Sequence, residues 1–261
     1  MKRTYVKLLT VAGLTGCFLF TSCRSAQETT ARYEISKVEG NMITIDSTWD
    51  ANPDKKATTV LKPYKDKVDA MMYEVIGTSE MKMDKGTPES LLSNLVASVL
   101  QEAAAQVLGK PADMGLVNMG GLRNILPKGD ITVGSVFEIL PFENSLCVLT
   151  MKGTDMKRLF KAIASLHGEG VSGIRLEINK KGELLNATIG GKPVVDDQLY
   201  TVATIDYLAD GNGRMDAFLQ AEKRECPEDA TLRGLFLDYV RKQTAEGKII
   251  TSKLDGRITV K

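Results

Sequence analysis

The stretch from Thr87 to Arg123 constrains the fold more than any other part of the chain. It opens on Thr87-Pro88-Glu89-Ser90, a helix start with threonine as the expected cap, proline at the first helical position and glutamate in the first turn. Leu91, Leu92, Leu95, Val96, Val99, Leu100 and Ala103 then recur with helical period, and Gly109 marks the end. Asp113 to Val117 reads as a short strand, which delivers the chain into Asn118-Met119-Gly120-Gly121-Leu122-Arg123. A helix, a strand and a glycine-rich turn in direct succession predict an α/β (α+β) fold, a mixed sheet with packed helices.

The remaining segments extend that pattern. Residues 32–47 alternate around Gly40-Asn41 and predict a β-hairpin. After a polar loop over residues 50–56, helical spacing of Leu61, Val68, Met71 and Met72, with Pro63 inside it, passes into a strand over residues 73–78. Ile131 to Phe137 opens a short helix that stops at Pro141, residues 145–152 form a buried strand, and a helix follows over residues 154–166. Strands are expected over residues 173–178, 184–189 and 200–205, the first two joined by Lys180-Lys181-Gly182. Helices over residues 215–222 and 227–244 and a final strand over residues 249–260, bent near Asp255-Gly256, complete the reading.

Composition excludes several functions. With 34 lysines and arginines against 33 aspartates and glutamates, and no basic cluster interleaved with aromatics, nucleic acid is not an expected partner. The single histidine, His167, cannot build a two-metal hydrolase centre, which needs several nitrogen and carboxylate ligands converging on one point. No metal or other cofactor is therefore expected in this chain, and no catalytic residue is assigned. Of the four cysteines, Cys147 and Cys226 have no C-x-x-C spacing. An oxidising compartment permits a disulfide between them, but the apolar strand around Cys147 favours a small buried hydrophobe.

The first 22 residues have the layout of a secretory signal, a basic start followed by an apolar run from Leu8 to Phe20 that is short for a bilayer span. The ending Phe20-Thr21-Ser22-Cys23 resembles a bacterial lipobox, with Cys23 as the acylated first residue of the mature chain and Leu14-Thr15-Gly16-Cys17 as a rival. Residues 23–31 are then a polar tether, and residues 32–261 the domain, held at the cell envelope by acyl chains that each gain about 0.8 kcal/mol per buried methylene.

Three segments in order carry a family resemblance: Asn118 to Arg123; Gly129-Asp130-Ile131-Thr132 leading to Leu140-Pro141-Phe142-Glu143-Asn144; and Tyr200-Thr201-Val202-Ala203 leading to Asp206-Tyr207-Leu208-Ala209-Asp210-Gly211. From about residue 60 onward the chain resembles the C-terminal domain of 5′-nucleotidases. The resemblance implies a domain that holds the nucleotide while a separate metallophosphatase domain, absent here, carries divalent metals and cleaves the ester. It places Phe142 and Tyr207 at the two rings that clamp the nucleoside, and Asn118 and Arg123 at ligand contacts. The chemistry agrees. Stacking on an aromatic ring is worth about 1–3 kcal/mol per base, Gly120 and Gly121 let backbone approach a ligand, and Arg123 offers a planar fork to phosphate or hydroxyl oxygens. Two positions depart from the family: Pro88 stands near where an arginine often precedes the helix, and Asp210-Gly211-Asn212-Gly213 replaces a glycine pair followed by an acidic sugar-binding residue. Asp210 and Asn212 are the candidates for that contact.

These readings give one leading function, the nucleoside- or nucleotide-binding subunit of a split 5′-nucleotidase whose metallophosphatase is a separate chain. The alternatives are a stand-alone nucleotide-binding lipoprotein and a structural envelope lipoprotein. The lipobox reading is tested by fractionation: Cys23→Ala should abolish acylation and release the protein from salt-washed membranes, whereas a Cys23→Ala variant that stays acylated and bound, with Cys17→Ala losing both, would move the acylation site to Cys17.

Overall fold

The structure, a computed structural model, describes residues 34–261. The signal segment, Cys23 with its rival Cys17, and the tether of residues 23–31 lie outside the described residues. Two compact units divide at Pro53. In the first, residues 34–46 carry no strand, so the expected hairpin is not formed there. Ile35, Val38, Ile43 and Ile45 are all exposed, and a two-stranded hairpin without a third strand or a packing surface is marginal in water. A 3₁₀ turn, Ser47–Ala51, follows, capped by the Asp46 carboxylate, which accepts the Thr48 N–H at 2.9 Å.

The second unit, Asp54–Lys261, begins with helix α1 (Lys55–Met72), capped by Asp54, whose carboxylate accepts from the Lys56 and Ala57 N–H groups. Strand β1 (Val75–Ser79) leads to α2 (Leu91–Ala103) and the short α3 (Ala105–Leu108). Then come β2 (Met114–Val117), β3 (Gly129–Thr132), α4 (Val133–Ile139), β4 (Leu146–Lys152) and α5 (Gly153–Ser165). The last third holds β5 (Gly170–Ser172), β6 (Ile174–Ile178), β7 (Leu184–Ile189), β8 (Lys192–Pro193), β9 (Leu199–Ile205), α6 (Asp206–Ala209), β10 (Lys223–Glu225), α7 (Leu232–Ala245) and β11 (Ile258–Val260).

Three sheets result among the described residues: β1 with β3, a five-stranded sheet ordered β10-β4-β9-β2-β5, and a four-stranded sheet ordered β11-β6-β7-β8. The expected mixed sheet is present, since β9 runs parallel to β2 and antiparallel to β4. Helix α2 lies against β2 and β5, with Leu92, Val96 and Leu100 fully buried, each worth roughly 1.5–3 kcal/mol of burial. The run Leu91–Leu108 is long and apolar enough to cross a membrane by length and composition, yet half of it is buried in this core.

Several expected boundaries move, for identifiable reasons. The cap of α2 is Ser90, not Thr87, because Ser90 sits immediately before the apolar stripe and its hydroxyl accepts from Ser93 N–H. Glu89 is drawn away from the helix, accepting from Asn94 Nδ2, Asp255 N–H and Arg257 N–H. That clamp, with Arg257 donating to the Asn94 and Val171 carbonyls, leaves residues 251–257 as loop and shortens the expected last strand to β11. The helix expected from Pro227 starts at Leu232, since Asp229 takes φ 61° and Thr231 supplies the cap. The helix expected over residues 215–222 is a 3₁₀ turn, Asp216–Gln220. Cys147 and Cys226 form a disulfide, which corrects the favoured reading of Cys147 as an unpaired buried cysteine. It pins the edge strand β10 to β4 and, closing a long loop, contributes about 4 kcal/mol in chain-entropy terms.

Candidate functional site

The five-stranded sheet gathers the site at one end. In the β4–β9 ladder Leu146 pairs with Ile205, so the segment entering β4, with Phe142, and the segment leaving β9, with Tyr207, emerge side by side. Strand β2 runs parallel to β9 and releases Asn118 at the same end, and β5, antiparallel to β2, pairs Gly170 with Val117 and brings Glu169 there too. A cleft of about 350 Å³ opens at that place, lined by Asn118, Gly120, Gly121, Phe142, Asn144 and Tyr207. Binding pockets for small molecules span roughly 300–1,000 Å³, so this one fits a ligand of modest size.

Phe142 and Tyr207 are 48% and 44% exposed, so both rings border open space and neither is core packing. Each is held through its backbone. Arg233, on α7 and only 7% exposed, donates to the Leu140 and Pro141 carbonyls at 3.2 and 3.1 Å, pairs with Glu143 and stacks over Phe137 at 4.1 Å. A cation at the end of α4 also meets the negative pole of that helix. Asp206 joins the two ring-bearing segments, since its carboxylate accepts from Asn144 Nδ2 at 3.0 Å and from Tyr207 N–H at 2.7 Å, and its own N–H donates to the Ser145 carbonyl.

The third wall is the glycine turn. Asn118 precedes a 3₁₀ turn, Met119–Gly121, and its Oδ1 is buried without a hydrogen-bond partner among the described residues. A side chain at Gly121 would come within 3.0 Å of that oxygen, so glycine there keeps room for the amide. An orphaned buried acceptor costs about 1–3 kcal/mol. Beneath the turn, Glu169 accepts the Met119 N–H. Burial pushes its carboxyl up to about 7, the Met119 hydrogen bond pulling the other way.

The remaining expected site residues sit apart. Arg123 stands at the rim with its guanidinium 5.8 Å from the Phe142 ring centroid and donates to the Gly120 carbonyl. Asp210 turns to Arg224 at 2.6 Å, and neither it nor Asn212 lines the cleft. Gly213, at φ 65°, closes that loop beside Leu208 and the Tyr207 ring, where a side chain would be strained. Asn144, Asp206, Glu169 and Arg233 were not singled out from sequence. The first two lie inside the motif segments, and Arg233, three residues before Phe236 on the buried face of a helix, is an arginine where a hydrophobe is expected. Glu169 between two glycines gives no local signal.

The family model for the 5′-nucleotidase C-terminal domain matches residues 75–220. The chain belongs to this family. The domain is 28% identical over 188 residues to Endonuclease YhcR of Bacillus subtilis, covering 69% of this chain and 15% of that protein. It is 27% identical over 238 residues to the Trifunctional nucleotide phosphoesterase protein YfkN of the same organism, covering 84% and 16%. Among solved structures, the 5′-nucleotidase precursor from Thermus thermophilus superposes with a TM-score of 0.67 at 26% identity, covering 78% of this chain and 43% of that one. The domain therefore spans less than half the length of each of these proteins.

Glu169 gives the domain a pH signature. An acid whose folded-state pKa lies above its ordinary value keeps a proton that the unfolded chain has released, so its contribution is fully present below about 4.5 and declines as pH rises to about 7. Urea melts should lose stability across that window by up to about 3 kcal/mol, and Glu169→Gln should flatten the decline; an unchanged slope in the variant would contradict the assignment.

Proposed function

We propose that the cleft between Phe142 and Tyr207 binds a nucleoside or nucleotide, and that the chain is the substrate-binding subunit of a split 5′-nucleotidase. The metallophosphatase, with its divalent metals, is then a separate chain, and the lipid on Cys23 holds this subunit at the cell envelope. The observation that carries the reading is the cleft itself: two exposed rings at its border, with Asn118 and the glycine turn in its wall. A flat aromatic base desolvates against such rings. Relatives named for nucleotide phosphoester chemistry support the substrate class.

The division of labour rests on the chain's own residues. Among those described, no group of three or more histidine, cysteine, aspartate or glutamate side chains gathers where it could hold a metal ion. Orienting the base and ribose, and keeping water from the base, are the tasks its residues can perform. Asn144 and Asp206 hold the ring-bearing segments together, Arg233 fixes the turn under Phe142, and Arg123 at the rim offers a cation to a phosphate.

Calorimetry with nucleosides and nucleotides tests the proposal. Phe142→Ala or Tyr207→Ala should weaken binding by on the order of tenfold, from the stacking range of about 1–3 kcal/mol, with the melting temperature held, since exposed rings contribute little to the core. A wild-type domain that binds no nucleoside or nucleotide would overturn the proposal and favour a structural envelope role.

A further inference from the structure

Helix α1 has an apolar face that nothing in its own unit covers. None of its 18 residues is buried, and Val60, Leu61, Tyr64, Val68 and Met71 are each at least 51% exposed. Only at its C-terminal end does the helix rest on the body, where Met72 packs against Gly134 at the start of α4. At about 100° per residue those five side chains fall within an arc of about 100° that runs the length of the helix. An isolated helix of this length is marginal in water even with good helix formers, and this one also contains Pro63.

The charges identify what covers the face. Helix α1 carries five lysines and two aspartates. Lys62 and Lys65 are neutralised by Asp66 and Asp69 one turn on. Lys55, Lys56 and Lys67 have no ion pair among the described residues, and Lys56 and Lys67 lie within about 40° of the edge formed by Val60 and Met71. Lys65 borders the other edge, and both aspartates lie farther round. Free lysines along the rim of an apolar stripe, with acids turned away, form the charge pattern of a helix lying in the interface of an anionic bilayer, where lysine stems extend from the apolar face to the headgroups. A second copy of the chain fits less well. The stripe, about 27 Å long on a helix about 10 Å across, offers on the order of 300 Å² per copy, against the ~800 Å² per partner of a stable interface.

We infer that α1 is a membrane-surface helix, which docks the domain on anionic phospholipid through Val60, Leu61, Tyr64, Val68 and Met71 and through its rim lysines. The inference is independent of base binding and of the lipid on Cys23. α1 gives the domain a fixed face toward the bilayer.

The test uses the mature chain from residue 24 onward, which carries neither the apolar signal run nor the acylated cysteine, with Trp49→Phe to remove its single tryptophan. One tryptophan is then placed by Tyr64→Trp on the apolar face or by Thr59→Trp opposite it. The probes are vesicles of phosphatidylglycerol and phosphatidylcholine, or of phosphatidylcholine alone, with and without brominated acyl chains. The position-64 emission should shift to the blue and be quenched by brominated chains on the anionic vesicles, the position-59 emission should not, and salt should reverse the effect. Adding Lys56→Glu and Lys67→Glu should lower partitioning by on the order of tenfold. Equal response at both positions, or none at position 64, overturns the inference. So does a blue shift at position 64 that appears without vesicles as protein concentration rises, or only when another protein is added, since the face would then be a protein interface.

Discussion

The register of the β4, β9, β2 and β5 ladder is the constraint on which the cleft depends. Seven residue pairs lock β4 to β9, from Leu146–Ile205 to Lys152–Leu199, while β2 is set against β9 and β5 against β2 by shorter pairings. Four segments distant in sequence, those around Asn118, Phe142, Glu169 and Tyr207, consequently leave the sheet at one end. A one-residue slip would exchange the two faces of a strand, forcing Leu146 and Val148 into places packed for Cys147 and Leu149, all of them buried, and carrying the rings away from each other. Burial of these strands and the binding surface are thus specified by the same pairing.

A second layer of contacts converts position into shape. Arg233 reaches from α7 to the turn below Phe142, and Asp206 accepts from both ring-bearing segments, so the rings are fixed through backbone and their faces stay free. The disulfide between Cys147 and Cys226 holds β10, from which Arg224 engages Asp210. That ion pair explains why Asp210 is turned from the cleft although its loop adjoins it. Charged partners are satisfied at the edges of the site, while the one buried side-chain polar atom left unsatisfied among the described residues lies in the wall. Buried polar groups without partners are rare in folded proteins, and Gly121 stands directly against this one.

Much of the fold was legible because periodicity survives in segments that bury one face. The stripe from Leu91 to Ala103 and the strands of residues 114–117, 146–152 and 184–189 were placed within about a residue or two. One boundary failed where a distant partner claimed a residue with a local role, since Glu89 serves the Asp255–Arg257 loop; another moved because Asp229 takes φ 61° and Thr231 caps the helix expected from Pro227. The hairpin around Gly40 failed for a different reason, since alternation without a surface to bury it does not stabilise a strand. In the cleft, Asn118, Gly120, Gly121, Phe142 and Tyr207 were readable from three motifs, whereas Glu169 and Arg233 act through residues 50 or more positions away and have no signature until the sheet is assembled.

The central claim is that one cleft at the end of this sheet receives a base against both rings. Intermolecular nuclear Overhauser contacts between a purine nucleoside and the isotopically labelled protein test it most directly. The account predicts contacts from the base protons to the ring protons of both Phe142 and Tyr207, with the Asn118 amide shifting on titration. Contacts to only one ring, or shifts confined to another cleft such as that bordered by Arg175 and Arg257, would contradict it.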